Sequence, residues 1–453
     1  MNRAALIGLL VLIILPGCGL SIDDTTPTDQ PKPQIGFNFI RLFSGLPDDK
    51  KGAVDLKTTA TQPDTTFKDF DDLGNLAYRQ FTKADLGWNT IEPKNGEWHF
   101  TEADEVIKNG TSEPIVTLFS LQYASPTPPW STGSSTFQKS LSTADAREYV
   151  AVVANRYKDD VTYWEIGNEL DHWRAADPGT TPPEGAMAKL PVPSPKDGFS
   201  PEEQGTFLNE VAAIIKRIDH NAIIVLPGMS SLDSYTLDTW LPGVAKSGDW
   251  FDVVNYHYYG DWKNYDASRN ALTKKLTDLG LQDKPVWLTE TGSTSSRTLK
   301  TRTNYPNSET SQAADIFRRI IPAYAAGDSL VLWHTYIGSP SISSNPWRDY
   351  GVLDAYGNKK PAYYAFKLLS DELLPFSSVE AVPSMAGSFI YKITTTSGHE
   401  KYVGWGTGTW NKPAIVTQMT SAVPNKDGSY SWTLAKNVTL SDIPVIMREG
   451  LSE

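Results

Sequence analysis

The sequence predicts an α/β protein: a (β/α)8 barrel of the TIM type followed by a small C-terminal antiparallel β-sandwich domain. The first observation is that eight short apolar runs alternate with amphipathic helical stretches over roughly 300 residues, as in a closed barrel. The second is that helical patterns stop near residue 375, after which strand-like runs are separated by turn residues. We therefore place the barrel at residues 35–375 and the β-sandwich domain at residues 376–453.

The N-terminal 34 residues are expected to lie outside the fold. The apolar run Ala4–Leu15 is too short to span a bilayer. The LPGC stretch that follows resembles a bacterial lipoprotein signal, in which Cys18 carries the lipid, although its proline departs from the usual small or β-branched residue. We expect a signal peptide at 1–18, a polar linker at 19–34, and an exported lipoprotein of the cell envelope, at the outer membrane or cell surface. An ordinary secretory signal is the alternative.

The barrel strands are predicted from short apolar runs bounded by turn residues. A capping box, SPEE at 200–203, has proline at the first helical position and predicts that a helix begins there. Another helix is predicted around Pro361–Leu374, where the barrel ends. The predicted strands are Ile35–Phe39, Phe81–Leu86, Ile115–Phe119, Thr162–Ile166, Ala222–Leu226, Val253–Tyr256, Val286–Thr289 and Leu330–Trp333.

Composition and motifs exclude several classes of function. The net charge of −12 and the absence of a basic patch argue against a nucleic-acid partner. The chain contains no zinc-protease, serine-hydrolase or nucleotide-binding motif, so no cofactor is expected. Cys18 is the only cysteine, and His99, His172 and His334 lack ligand spacing, so no metal site is expected.

Two glutamates stand at strand ends. Strand four ends in Asn168-Glu169 and strand seven runs into Glu290. Because the C-terminal ends of barrel strands share one mouth, the two carboxylates should meet there. One protonated and one ionised carboxyl group is the arrangement that cleaves a glycosidic bond. Glu165 lies deeper in strand four and is interpreted as a buried structural carboxylate.

The sequence resembles the clan A retaining glycoside hydrolases over most of residues 35–374. The likeness is carried by WEIGNE at 164–169, TETG at 289–292, NYHYY at 255–259 and LWHTY at 332–336. The stretch DLGWNTIEPKNGEWHF at 85–100 is similar to the second-strand region of several families in that clan. The β domain after the barrel resembles the layout of family 39.

The resemblance implies a role for each matching residue. Glu169 would be the acid/base and Glu290 the nucleophile, so their carboxyl groups should lie about 5–5.5 Å apart. Asn168 would bind the 2-hydroxyl of the sugar, and Trp333 would form the floor beneath it. Tyr259 would orient Glu290. The remaining implied contact is from His257, to the sugar or to the acid/base.

Several assignments stay open at this stage. Several families of the clan carry an arginine on strand two that supports the nucleophile, and here either Lys83 or Arg41 would have to replace it. Trp88 is a candidate sugar platform or a packing residue. The expected partners are a carbohydrate and, through the lipid alone, a membrane. A glycan-binding lipoprotein without turnover and a transglycosylase are the alternative functions, and the sugar and linkage are undetermined.

Overall fold

The computed structural model describes residues 34–39, 72–74, 76–80, 87–108, 113–118, 144–172, 200–296, 308–338, 349–354 and 357–450. Cys18, Arg41, Lys83 and the predicted strand Phe81–Leu86 lie outside these residues. Within the described ranges, no helix combines the length and apolarity needed to cross a membrane.

The central sheet has eight parallel strands in the order β5-β4-β3-β2-β1-β8-β7-β6. Parallel bridges join Val225 to Val253 and Met229 to Tyr256, so β5 meets β6 and the sheet closes. The predicted (β/α)8 barrel is therefore confirmed. The strands are β1 Ile35–Phe39, β2 Leu76–Gln80, β3 Glu113–Leu118, β4 Tyr163–Ile166, β5 Ile223–Val225, β6 Val254–Tyr258, β7 Val286–Thr291 and β8 Leu330–His334.

The second strand differs from the prediction. It is β2, which pairs with β1 from Ile35 opposite Leu76 onward, and it precedes the predicted run. Leu76 and Tyr78 pack outward against the helix layer, while Ala77 belongs to the core inside the barrel. Arg79 continues the inward side of β2 and is fully buried. A charge at the fourth of the five positions of β2 breaks the apolar pattern, which is why the sequence favoured the next segment.

Helices surround the barrel and follow the expected signals. The capping box is present, because Ser200 Oγ accepts a hydrogen bond from the Glu203 amide at 3.2 Å. The Ser200 amide donates in return to Glu203 Oε2 at 2.7 Å. The α-helices of the described chain are α1 Trp88–Ile91, α2 Thr101–Lys108, α3 Ala144–Tyr157, α4 Pro201–Ile218, α5 Leu241–Ala245, α6 Tyr265–Asp278, α7 Glu309–Ala325 and α8 Pro361–Leu373.

The barrel interior changes from apolar to polar along its axis. Apolar side chains fill the part near the N-terminal ends of the strands, as in other barrels, which are packed and not hollow. Two residues further along the strands, the inward positions are polar and buried. This polar layer lies under the mouth and consists of Arg79, Thr117, Glu165, Asn255, Thr289 and His334.

The C-terminal region forms a six-stranded antiparallel sheet, here called the C-terminal sheet, and a two-stranded ribbon. Ile393, Trp405 and Ile446 on one face belong to the same core as the barrel's helix layer. Ile390 and Met447 on the other face pack with the ribbon, which confirms the expected sandwich. The sheet contains β9 Phe376–Ala381, β10 Ser388–Thr395, β11 Glu400–Gly406, β13 Val416–Ser421, β14 Thr433–Leu434 and β16 Val445–Glu449, and the ribbon β12 Thr409–Trp410 and β15 Val438–Thr439.

Candidate active site

A tight turn at the end of β4 brings Asn168 and Glu169 into the mouth. Gly167 has a φ of +94°, and a Cβ there would lie 2.8 Å from a methyl carbon of Leu170. Glu169 itself has a φ of 51°, a left-handed conformation that side chains other than glycine rarely adopt. Its amide donates to Gly228 O at 2.9 Å, which ties the turn to the segment after β5. Such strain is typical of functional positions.

Asp171, two residues after Glu169, holds the same turn in place through hydrogen bonds. It is fully buried, and its carboxylate accepts hydrogen bonds from the Ser230 amide at 3.0 Å and the Ser230 hydroxyl at 2.7 Å. Thr236 Oγ1 donates to the same group at 2.8 Å. The segment carrying Glu169 is thus fastened to its neighbour on one side of the mouth.

An irregularity in the pairing of β7 directs the side chain of Glu290 into the mouth of the barrel. The pairing of β7 with β8 is irregular between Leu288 and Thr291, and its pairing with β6 shifts beside His257. Bulges of this kind re-aim side chains beside active sites. As a result Thr289 hydrogen-bonds to Asn255 inside the barrel at 2.7 Å, and Glu290 also reaches the mouth, where it is 2% exposed.

The two glutamates meet at His257. One carboxylate oxygen of Glu169, one of Glu290 and a ring nitrogen of His257 all lie within 4.8 Å of one another. His257 Nδ1 is 2.9 Å from Glu169 Oε1 and 3.7 Å from Glu290 Oε2. The expected contact of His257 with the acid/base candidate is therefore present. The same spacing would admit a cation, but Arg79 already compensates the charge of Glu290 at 2.7 Å.

The surroundings of Glu290 hold it ionised. Tyr259 OH donates to Glu290 Oε2 at 2.8 Å, as expected, and His334 Nδ1 lies 4.0 Å from the same oxygen. Burial raises the pKa of Glu290, but the positive charges of His257, Arg79 and His334 and the Tyr259 hydrogen bond outweigh it and lower the pKa to about 2. Glu290 is thus an anion at neutral pH.

The two histidines respond to this carboxylate differently. Burial lowers the pKa of His257, but the charge of Glu290 and the hydrogen bond to Glu169 raise it above its usual value. Burial lowers the pKa of His334, and the weaker attraction of Glu290 does not reverse the effect. His257 therefore holds a proton between the two carboxylates more readily than His334 does.

Arg79 is the residue that sequence reasoning missed. It occupies the supporting position for which Lys83 and Arg41 were proposed. Its guanidinium donates from Nη1 to Glu290 at 2.7 Å and from Nη2 to Asn168 Oδ1 at 2.5 Å. The available signal was the alternation in LAYRQ, which places an arginine two residues after the inward-facing Ala77.

Glu165 completes the polar layer under the mouth. It accepts two hydrogen bonds from Arg79, at 2.5 Å and 2.9 Å. Thr117, the Gly228 amide and Asn255 also donate to it, at 2.5 Å, 3.0 Å and 2.8 Å. The prediction that Glu165 is a buried, satisfied structural carboxylate is confirmed.

The side-chain amide nitrogen of Asn168 has no hydrogen-bond acceptor among the described residues. Its Oδ1 accepts from Arg79, but within the described chain its Nδ2 is buried and meets no acceptor. Buried donors are rarely left unpaired, so this amide is suited to a ligand.

Two predicted sugar contacts are not brought to this site. Trp333 is fully buried and faces the helix layer, where its indole N–H donates to Tyr350 O at 3.2 Å. The residue of β8 that faces inward at the mouth is His334, which follows Trp333 in the chain. The prediction that Trp333 lies beneath the sugar is therefore off by one residue. Trp88 stacks on Tyr149 at 5.5 Å and donates to Glu92 at 2.8 Å, which makes it a packing residue.

Comparisons with known proteins agree with this architecture. The model of glycosyl hydrolase family 10 matches residues 58–179, which include Glu169 but not Glu290. A family 39 glycoside hydrolase from Bacteroides cellulosilyticus is similar with a TM-score of 0.62 at 16% identity, over 92% of this chain and 81% of that one. A GH39 β-xylosidase from Caulobacter crescentus is similar with a TM-score of 0.57 at 14% identity, over 86% of this chain and 94% of that one.

A third similar structure is a glucosidase from Croceicoccus marinus, with a TM-score of 0.54 at 13% identity over 85% of this chain and 92% of that one. These likenesses confirm the barrel fold, and with the family match they agree with the predicted resemblance to clan A and to family 39. Together with the family match, they support an O-glycosyl hydrolase.

Proposed function

We propose that the protein is a retaining glycoside hydrolase that cleaves β-glycosidic bonds of an oligosaccharide or polysaccharide. The observation that carries the proposal is the approach of one Glu169 oxygen to within 4.8 Å of one Glu290 oxygen. Retaining enzymes hold their two carboxyl groups about 5–5.5 Å apart, whereas inverting enzymes need about 6.5–9.5 Å to seat a water molecule. The close approach of these two oxygens therefore favours the retaining arrangement.

The roles follow from the surroundings of each carboxylate. Glu290 is ionised and fixed by Arg79 and Tyr259, so it is suited to attack the anomeric carbon. Glu169 lies against His257 and is 9% exposed, so it can donate a proton to the leaving oxygen and later activate water. The Nδ2 donor of Asn168 would bind the 2-hydroxyl of the reacting sugar.

The substrate class is a neutral or weakly charged glycan joined by β-linkages. A GH39 β-xylosidase and a glucosidase share the fold, and an exo-β-1,4-mannosidase from an Opitutaceae bacterium is similar with a TM-score of 0.50. The acidic net charge of −12 disfavours polyanionic substrates. We further propose that Cys18 carries a lipid and tethers the protein to the cell envelope.

Azide rescue tests the two roles. Dinitrophenyl β-xyloside, β-glucoside and β-mannoside need little protonation of the leaving group, so Glu169→Ala should give a burst of dinitrophenol followed by slow turnover. Azide should speed that turnover and yield the β-glycosyl azide. With Glu290→Ala, azide should displace the leaving group directly and yield the α-glycosyl azide.

The products decide between the alternatives. An α-azide from Glu169→Ala and a β-azide from Glu290→Ala would reverse the roles. Binding of a glycan without turnover by the wild type would favour the glycan-binding alternative. Transfer to an added sugar acceptor in place of release into water would favour the transglycosylase.

A further inference from the structure

The turn that carries Tyr259 is built to be rigid. Tyr259 directly follows β6, and Thr291 of β7 donates from Oγ1 to Tyr258 O at 2.9 Å. Tyr258 OH donates to Asp261 O at 2.8 Å, across Gly260. A Cβ at Gly260 would lie 2.8 Å from the Tyr258 ring, so only glycine fits beneath it. The position of Tyr259 is therefore tied to that of the residues just after it.

Trp262 fixes the far end of this turn. It opens the 3-10 turn Trp262–Asn264, which Asp261 caps by accepting a hydrogen bond from the Lys263 amide at 3.0 Å. Its side chain is buried, and the Arg318 guanidinium of α7 lies 5.2 Å from its ring centroid. Arg318 also donates to Asp442 O at 3.1 Å, which joins α7 to the C-terminal region.

Aromatic residues of the C-terminal sheet also pack against Trp262. Phe389 of β10 meets it edge-to-face with ring centroids 5.2 Å apart, and Trp405 of β11 does so at 6.2 Å. Trp405 is fully buried and stacks on Phe389 at 5.8 Å and on Tyr391 at 5.3 Å. A stack of three aromatic rings on one sheet thus ends on the turn beside the nucleophile.

We propose that the C-terminal sheet positions the nucleophile, acting from Trp405 and Phe389 through Trp262 and Tyr259 to Glu290. The inference deepens the proposed function, since it assigns the sheet a part in the chemistry of that site. Trp262 and Trp405 are positioning residues, because neither reaches the reacting atoms. Their effect is to keep Tyr259 OH within hydrogen-bond distance of Glu290 Oε2 while the substrate enters.

The test compares three variants in the full chain. Tyr259→Phe removes the hydrogen bond itself and should raise the pKa of Glu290 by about one to two pH units, because the lost bond stabilises the ionised carboxylate. Trp262→Ala should shift the pKa in the same direction by about half as much. It should lower kcat about tenfold with KM changed less than about twofold. Trp410→Ala is the matched control, because Trp410 packs on Tyr402 at 5.3 Å on the opposite face of the sheet.

Two readouts test this inference, and the second separates it from the proposed function. The first is the acid limb of the pH profile of kcat/KM on the three dinitrophenyl β-glycosides. The second needs no activity and is a 13C NMR titration of the Glu290 carboxyl carbon in 13C-glutamate protein, assigned with Glu290→Gln. The titratable and charged groups that face Glu290 are Arg79, Glu169, His257, Tyr259 and His334.

The outcomes are decisive in both directions. A shifted Glu290 titration in Trp262→Ala and an unshifted one in Trp410→Ala support the inference, even if no glycoside is cleaved and the proposed function fails. An unchanged titration in Trp262→Ala beside a shifted one in Tyr259→Phe overturns it. Equal effects of Trp262→Ala and Trp410→Ala also overturn it, because they would reflect loss of the sheet in general. If Trp262→Ala does not fold, Trp262→Phe and Trp405→Phe replace it with the same criteria.

Discussion

Acidification should weaken the native state through Glu290. Burial alone would raise the pKa of this carboxyl, but His257, Arg79, His334 and the Tyr259 hydrogen bond together lower it from 4.5 to about 2. A group with a lowered pKa stabilises the fold fully above its unfolded pKa, and the benefit disappears as the pH falls toward the folded value.

The magnitude follows from the two pKa values. They differ by roughly 2.5 pH units, so at about 1.4 kcal/mol for each unit the carboxylate contributes about 3 kcal/mol near neutral pH. About 2 kcal/mol of this should be lost by roughly pH 3.

The contribution of His257 to stability has the opposite dependence on pH. Its pKa is raised from 6.5 by Glu290 and Glu169 against the effect of burial, so its contribution is present below that pH and is lost on going above it.

Urea unfolding of the wild type and Glu290→Gln, followed by tryptophan fluorescence between about pH 8 and pH 3, measures the effect. The difference in unfolding free energy between the wild type and Glu290→Gln should be largest between pH 4.5 and pH 6.5, the unperturbed pKa values of Glu290 and His257. This difference should decrease at lower and at higher pH. Glu148→Gln on the exposed side of α3 is the control and should run parallel to the wild type. Curves for Glu290→Gln that stay parallel to the wild type within about 0.5 kcal/mol would refute the reasoning.

Two further predictions concern Arg79 and Cys18. Arg79→Lys keeps a positive charge but cannot bond Glu165, Glu290 and Asn168 together, so the unfolding free energy should fall by about 3 kcal/mol and kcat/KM about 100-fold. Urea unfolding and initial rates measure both quantities, and a fully active, equally stable variant would contradict the assignment. Cys18→Ser should move the protein from the membrane to the soluble fraction without loss of specific activity. Retention in the membrane fraction would rule out the lipid anchor.

The sequence by itself determined the barrel and the positions of both glutamates. Six of the other predicted strands lie within one or two residues of those observed, and β1 agrees fully at Ile35–Phe39. These signals are local: an apolar run, a capping box or a turn residue acts on its own few neighbours. Glu169 and Glu290 could be placed for the same reason, since each lies within three residues of the end of a recognisable strand.

Only the tertiary structure decided which way the side chains face. Every residue of β8 is buried, so LVLWH shows no alternation of polar and apolar positions from which a direction could be read. The sequence therefore favoured Trp333 at the mouth, whereas closure of the barrel places His334 there. A one-residue change of register exchanges the two faces of a strand, and only the pairing with β7 and β1 fixes it.

Arg79 shows the same limit for a charged residue. A buried guanidinium is costly unless acceptors satisfy it, and here they come from β4 and its turn and from β7, 86 to 211 residues away in the chain. No local pattern records that convergence. The contact of Trp262 with Trp405 likewise exists only once the C-terminal sheet has folded against the barrel. The sequence supplies the chemical groups, and closure and packing determine which of them meet.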